Sequence, residues 1–183
     1  MMSMFSAPKR FLRKFARAED GTGTLEFVIV FPVIFSLFLM SLEISILTLR
    51  QVMLERAVEL AVRDVRIGKI PDPSHAQLIE AICDRASAMP KCRQDLQLEM
   101  IIEDVYAWGG GVNGPVRCID RAEDVQPLVQ FVNGGNNNLM ILQACMLFDP
   151  MFSSIGVGAV IPKVSGNAYG LIAKSAFVME PFK

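Results

Sequence analysis

Between Glu26 and Arg50 the chain carries one charged residue, Glu43, so Phe27 to Leu49 form an apolar run of about the ~20 residues that a bilayer core requires. Such a run must either be buried or lie in lipid. A secretory signal core is shorter, roughly 7–15 residues, and ends at a small-residue cut site. Here Leu47-Thr48-Leu49-Arg50-Gln51 leads straight into more helix-forming sequence. The run is therefore expected to stay as an anchor.

Lys9, Arg10, Arg13, Lys14 and Arg17 precede the run, and by the positive-inside rule they should hold the N-terminus in the cytoplasm. Everything after Arg50 is then exported. Charge divides accordingly, because residues 1–21 hold 5 basic and 2 acidic groups while the rest of the chain holds 13 and 17. A mildly acidic exported part without a basic patch argues against nucleic-acid binding. Of 183 residues, a leader and a span leave enough for one modest domain. The hydrophobic content of 52% is high for a soluble protein, and the span accounts for much of it.

Helical spacing continues past Leu49 through Val52, Ala57, Val58, Ala61, Val62 and Val65, with Arg50, Glu55, Glu59, Arg63 and Arg66 on the other faces. One helix from about Thr24 to Ile67 is expected, stopped by Gly68 and Pro71 and loosened at Pro32. Ser74 can cap a second helix, with Gln77 completing an S-x-x-Q box and Pro90 ending it. Leu96 to Tyr106, Leu139 to Phe148 and Gly170 to Met179 read as strands separated by turn clusters such as Asn133-Gly134-Gly135-Asn136-Asn137-Asn138. The fold class is α+β, with a small antiparallel sheet packed on the exported half of the long helix. The expected partition is a leader over 1–21, a transmembrane helix over 22–49 and an exported domain over 50–183. Within that domain the helix continues over 50–68, a second helix covers 74–89 and the sheet lies in 95–183.

Cys83, Cys92, Cys118 and Cys145 all fall on the exported side, where an even count favours disulfides. Three connectivities are open. Cys83 and Cys92 flank a helix end and Cys118 and Cys145 bracket a loop, so nearest-neighbour pairing is expected. A zinc site is the rival, but C-x-x-C spacing is missing and the single histidine, His75, is remote in sequence. No metal or cofactor is expected.

Gly109-Gly110-Gly111-Val112-Asn113-Gly114 spells G-x-G-x-x-G, yet Pro115 and Val116 follow where a phosphate-binding helix would have to start. It reads as a loop. His75 beside Ser74 reads as a surface residue, and no G-x-S-x-G or H-E-x-x-H occurs. Tyr106, Trp108 and the Asn136-Asn137-Asn138 loop fit a sugar or partner contact, or an ordinary core aromatic and solvated turn, equally well.

Gly21-Thr22-Gly23-Thr24-Leu25-Glu26-Phe27, running on to Pro32 behind a short basic leader, resembles the start of TadE-like minor pseudopilins of the tight-adherence (Tad/Flp) pilus system. The resemblance is strong over the first forty or so residues and weaker at Phe131 to Gly134, Leu139 to Pro150 and Ala176 to Pro181. It implies that a prepilin peptidase cuts between Gly21 and Thr22, making Glu26 the fifth mature residue. It also implies an inner-membrane anchor, a periplasmic domain, and partners among the other Tad minor pseudopilins, the Flp major pilin, the assembly platform and membrane lipid. Surface attachment and biofilm formation would be the outcome.

A carboxylate one turn inside a bilayer is expensive by a few kcal/mol on insertion scales. Glu26 therefore wants a cation, and the freed amine of a neighbouring subunit is the one that the resemblance implies. Phe27 and Pro32 are the accompanying assembly positions. Glu43 is the second carboxylate of the run, read either as a helix-to-helix contact or as a residue at the far interface, since Glu26 to Glu43 spans roughly 25 Å at about 1.5 Å per residue. The expected function is a non-enzymatic minor pseudopilin. The alternatives are an uncleaved single-span protein whose exported domain binds a ligand or senses the envelope, and an exported enzyme on a tether.

Overall fold

The computed structural model describes residues 22–180 apart from 88, 105, 107–113, 124–128, 136 and 155. Its elements are α1 (Thr22–Arg66), α2 (His75–Arg85), α3 (Cys92–Asp95), β1 (Leu96–Glu103), β2 (Leu139–Phe148), α4 (Val157–Val160) and β3 (Tyr169–Val178). The chain divides into two units after Ser41.

In the first unit, α1 presents Leu25, Phe27, Ile29, Val33, Leu37 and Phe38 to its surroundings, each more than half exposed. Pro32 lies inside the helix without ending it, although its missing N–H costs one backbone hydrogen bond. An 18-residue window of this helix reaches a mean hydropathy of 2.4, so it is long and apolar enough to cross a membrane.

The second unit, Leu42 onward, begins inside the same helix. Here Leu54, Ala57, Val58, Ala61, Val62 and Val65 recur at helical spacing and are all buried. They pack in one core with Leu98, Met100, Leu142, Met146 and Phe177 from the sheet. Each fully buried valine, leucine, methionine or phenylalanine among them contributes about 1.5–3 kcal/mol.

The sheet is antiparallel in the order β1-β2-β3. Its register pairs Leu96 with Met146 and Glu103 with Leu139 on one side of β2, then Leu139 with Val178 and Phe148 with Tyr169 on the other. Strand β2 is buried on both faces. One face meets the helices, and on the other the Cys118–Cys145 bridge clamps an outer segment to the strand. Gly170 makes room for it, since a Cβ there would stand 3.1 Å from the Cys145 sulfur and 3.2 Å from that of Cys118.

Helix α2 starts with both bonds of the capping box: the Gln77 N–H donates to Ser74 Oγ, and the Ser74 N–H donates to Gln77 Oε1. It stops at Arg85, four residues short of the expected 74–89. The Cys83–Cys92 bridge explains why. At about 1.5 Å per residue an unbroken helix would carry Cys92 about 13 Å from Cys83. The bridge requires the 5.7 Å Cα separation that is found, so the chain turns at Ala86 and restarts as α3 from Lys91 at positive φ. His75 also departs from a surface reading. Its Nε2 lies 3.2 Å from the Leu98 carbonyl of β1, and its ring stands edge-on to Phe131 at 5.3 Å.

Candidate membrane and assembly site

Thr22 is the first residue of α1, and Glu26 stands one turn on, exposed. The proposed cut site Gly21 and the basic leader lie outside the described residues, as do Trp108, Gly109 to Gly111 and Asn136. Gly23, Glu26, Phe27, Val30, Phe31 and Ile34 line an open groove on the helix. Phe27, Phe31 and Phe35 follow one another at four-residue spacing, with ring centroids 5.1 and 5.5 Å apart. An aromatic ridge therefore runs along this surface from the turn that holds the carboxylate. Such a surface can take a second helix and a compensating cation.

Glu43 is placed differently from a lipid-facing or neighbour-facing residue. It is 3% exposed and enclosed by its own chain. One carboxylate oxygen accepts from the Phe152 N–H and the other from the Gly158 N–H, each at 3.3 Å. Two backbone donors from the loop after β2 thus satisfy a charge that would be costly to bury alone. The loop comes this close because residue 158 is glycine. A Cβ there would stand 2.9 Å from Glu43 Oε1, 2.8 Å from the Pro150 Cβ, and against the Phe152 carbonyl oxygen.

Two turns farther along α1, the Arg50 guanidinium carbon lies 3.4 Å above the centre of the Phe148 ring, which itself stands 6.1 Å from Tyr169. Burial holds Arg50 below its ordinary pKa while Tyr169 pulls it up. Burial also pushes the Tyr169 phenol up, the Arg50 charge pulls it back, and the Glu43 charge adds to the rise. Glu43, Arg50 and Tyr169 therefore form one electrostatic group at the start of the second unit. Sequence reading found the first as a charge in an apolar run and missed the other two. A basic residue ending such a run was the available signal.

A second ionic group pins the outer segment. Arg121 donates from Nη2 to Asp95 at 2.7 Å and from Nη1 to Asp149 at 2.8 Å, while its backbone N–H donates to Ser165 Oγ at 2.9 Å. The hydrogen bond to Asp95, which outweighs the effect of burial, raises its pKa. The cysteines form Cys83–Cys92 and Cys118–Cys145, the nearest-neighbour pairs. Among the described residues no group of three His, Cys, Asp or Glu side chains converges as a metal site would need.

Comparison with known families finds that the model of the family described as TadE-like protein matches residues 21–63. The resemblance carried by Gly21, Glu26, Phe27 and Pro32 is thus found over helix α1 and the residue before it. No curated protein and no solved structure matches the chain.

Proposed function

We propose that the chain is a minor pseudopilin of TadE-like type, a non-enzymatic subunit that takes part in assembly of a Tad/Flp pilus. A prepilin peptidase removes residues 1–21, residues 22–49 of α1 hold the subunit in the inner membrane with the domain from Arg50 onward in the periplasm, and the freed Thr22 amine of one subunit neutralises Glu26 of the next. Other Tad minor pseudopilins, the Flp major pilin and the assembly platform are the partners. Attachment to surfaces and biofilm formation follow from the pilus.

The observation that carries this reading is a coincidence of position. The family match begins at Gly21 and runs along a helix whose first turns set one carboxylate, Glu26, on an otherwise apolar, exposed surface. A simple anchor gains nothing from that charge, whereas an assembly subunit gains a docking signal.

Mass spectrometry of the membrane-extracted chain from cells with an active prepilin peptidase tests the cut. A mass beginning at Thr22 is expected, and persistence of the full-length chain would overturn the reading. Glu26→Ala tests the charge: the variant should insert into the membrane yet fail to support piliation, and undiminished piliation would count against assembly through Glu26.

A further inference from the structure

We propose that residues 151–154 and 156–164, between β2 and β3, form a lipid-contacting collar beside Glu43. This rests on the reading of α1 as a membrane span. With Glu26 at one boundary of the bilayer, Glu43 stands toward the other, because the two are roughly 25 Å apart along a helix against a hydrocarbon thickness of about 30 Å.

A charged side chain at that depth is normally turned to water or paired with a cation. Glu43 is instead enclosed, and its shield consists of the backbone amides of Phe152 and Gly158. The segment that supplies them is therefore held at the height of Glu43. Residues 151–162 contain no charged side chain, and Lys163 closes the segment.

Several of the exposed residues of this segment are apolar. Val160 is 83% exposed, Met151 62% and Val164 50%. Beside Glu43, Leu42 and Ile44 are exposed at 44% and 49%. Met151 adjoins one donor to Glu43 and Val160 follows the other by two residues, so the loop's apolar side chains and those of the helix share one level. Lys163, exposed at the end of the segment, donates from its ammonium to the Ser153 carbonyl at 2.9 Å, so the segment's one cation stays at its edge. A non-helical backbone does not enter the hydrocarbon itself, so the collar belongs at the headgroup boundary. Its ligand is the acyl and glycerol region of a phospholipid surface.

The test uses the full chain reconstituted in phosphatidylethanolamine and phosphatidylglycerol vesicles, with the photoreactive side chain p-benzoylphenylalanine placed in turn at Val160, Met151, Phe35 and Ile67. Phe35 reports the span. Ile67, 56% exposed and about 36 Å beyond Glu43 along the helix direction, reports the aqueous side. Irradiation should give lipid adducts, read by mass, at Phe35, Val160 and Met151, several-fold above those at Ile67. Adducts at Phe35 with only the Ile67 level at Val160 and Met151 would overturn the collar and leave the span standing. Protein-to-protein adducts in place of lipid adducts at Val160 and Met151 would overturn it in favour of a subunit contact. Absence of lipid adducts at Phe35 would overturn the span, and the collar with it.

Discussion

The Gly158 backbone N–H donates to Oε2 of Glu43 across 115 positions of sequence, and the glycine is packed so tightly that even a methyl group would meet the carboxylate it serves. The bond joins the start of the folded unit to the last loop before β3.

Glu43→Gln keeps the shape of the side chain but turns one acceptor into a donor facing a donor. It should destabilise the second unit by about 1–3 kcal/mol, the cost of leaving a buried polar group unsatisfied. Gly158→Ala should cost a similar amount, about 1–3 kcal/mol, because the added methyl group meets the Phe152 carbonyl and Pro150 as well as Glu43. Guanidinium unfolding of the detergent-solubilised chain measures both. Parental midpoints would refute the tie.

Arg121 joins one nearly buried carboxylate to one exposed carboxylate, with side-chain exposures of 8% for Asp95 and 58% for Asp149. Arg121→Met leaves the nearly buried Asp95 without its partner and should cost about 1–3 kcal/mol. Asp149→Asn removes only the wet half of the pair and should cost about 0–1 kcal/mol. Equal losses on chemical denaturation would show that the asymmetry is misread.

Tyr169 links stability to alkaline pH. Burial holds its phenol above the ordinary value, against the pull of the Arg50 charge, whereas the unfolded phenol ionises near about pH 10. The stability this contributes is complete below the unfolded value and is lost as pH rises through the higher folded one. Tyr169→Phe should therefore flatten the alkaline limb of a stability-against-pH curve and leave the neutral and acid limbs unaltered. An unchanged alkaline limb would contradict the assignment.

The two bridges close chains of different length, 9 residues for Cys83–Cys92 and 27 for Cys118–Cys145. Loop-closure entropy assigns about 2.6 and about 3.6 kcal/mol to them, so replacing both Cys118 and Cys145 with alanine should cost about 1 kcal/mol more than replacing Cys83 and Cys92. Denaturant midpoints of the two double variants decide it. The reverse order would show that native packing around the sulfurs outweighs the unfolded-state term.

What the sequence made legible was whatever depends on neighbours in sequence. Ser74 and Gln77 announce a helix start because the capping box needs three-residue spacing and nothing else. Strand β2 stands out because Leu139 to Phe148 is an apolar run of strand length between a turn cluster and Pro150. Helix α1 follows from the unbroken spacing of its apolar residues. Four residues of helix α2 were over-read, because Pro90 looked like the stop while the constraint that acts, a bridge to Cys92, shortens the helix earlier. The surroundings of Glu43 were not legible at all. Backbone amides leave no mark in a sequence, and those that hold Glu43 come from residues more than a hundred positions away. The faint local clue was Gly156-Val157-Gly158, where small residues allow a close approach.

Under tension applied at its ends, the chain meets a limit at the Cys118–Cys145 bridge. The 27-residue segment between the two sulfurs would contribute roughly 90 Å of slack at about 3.4 Å per residue, and the covalent shortcut withholds it from any load applied at the chain ends. Strand β1 lies before that ring, most of β2 lies within it, and β3 lies after it. Tension can peel β3 away, but it cannot draw out the stretch of chain that the ring encloses.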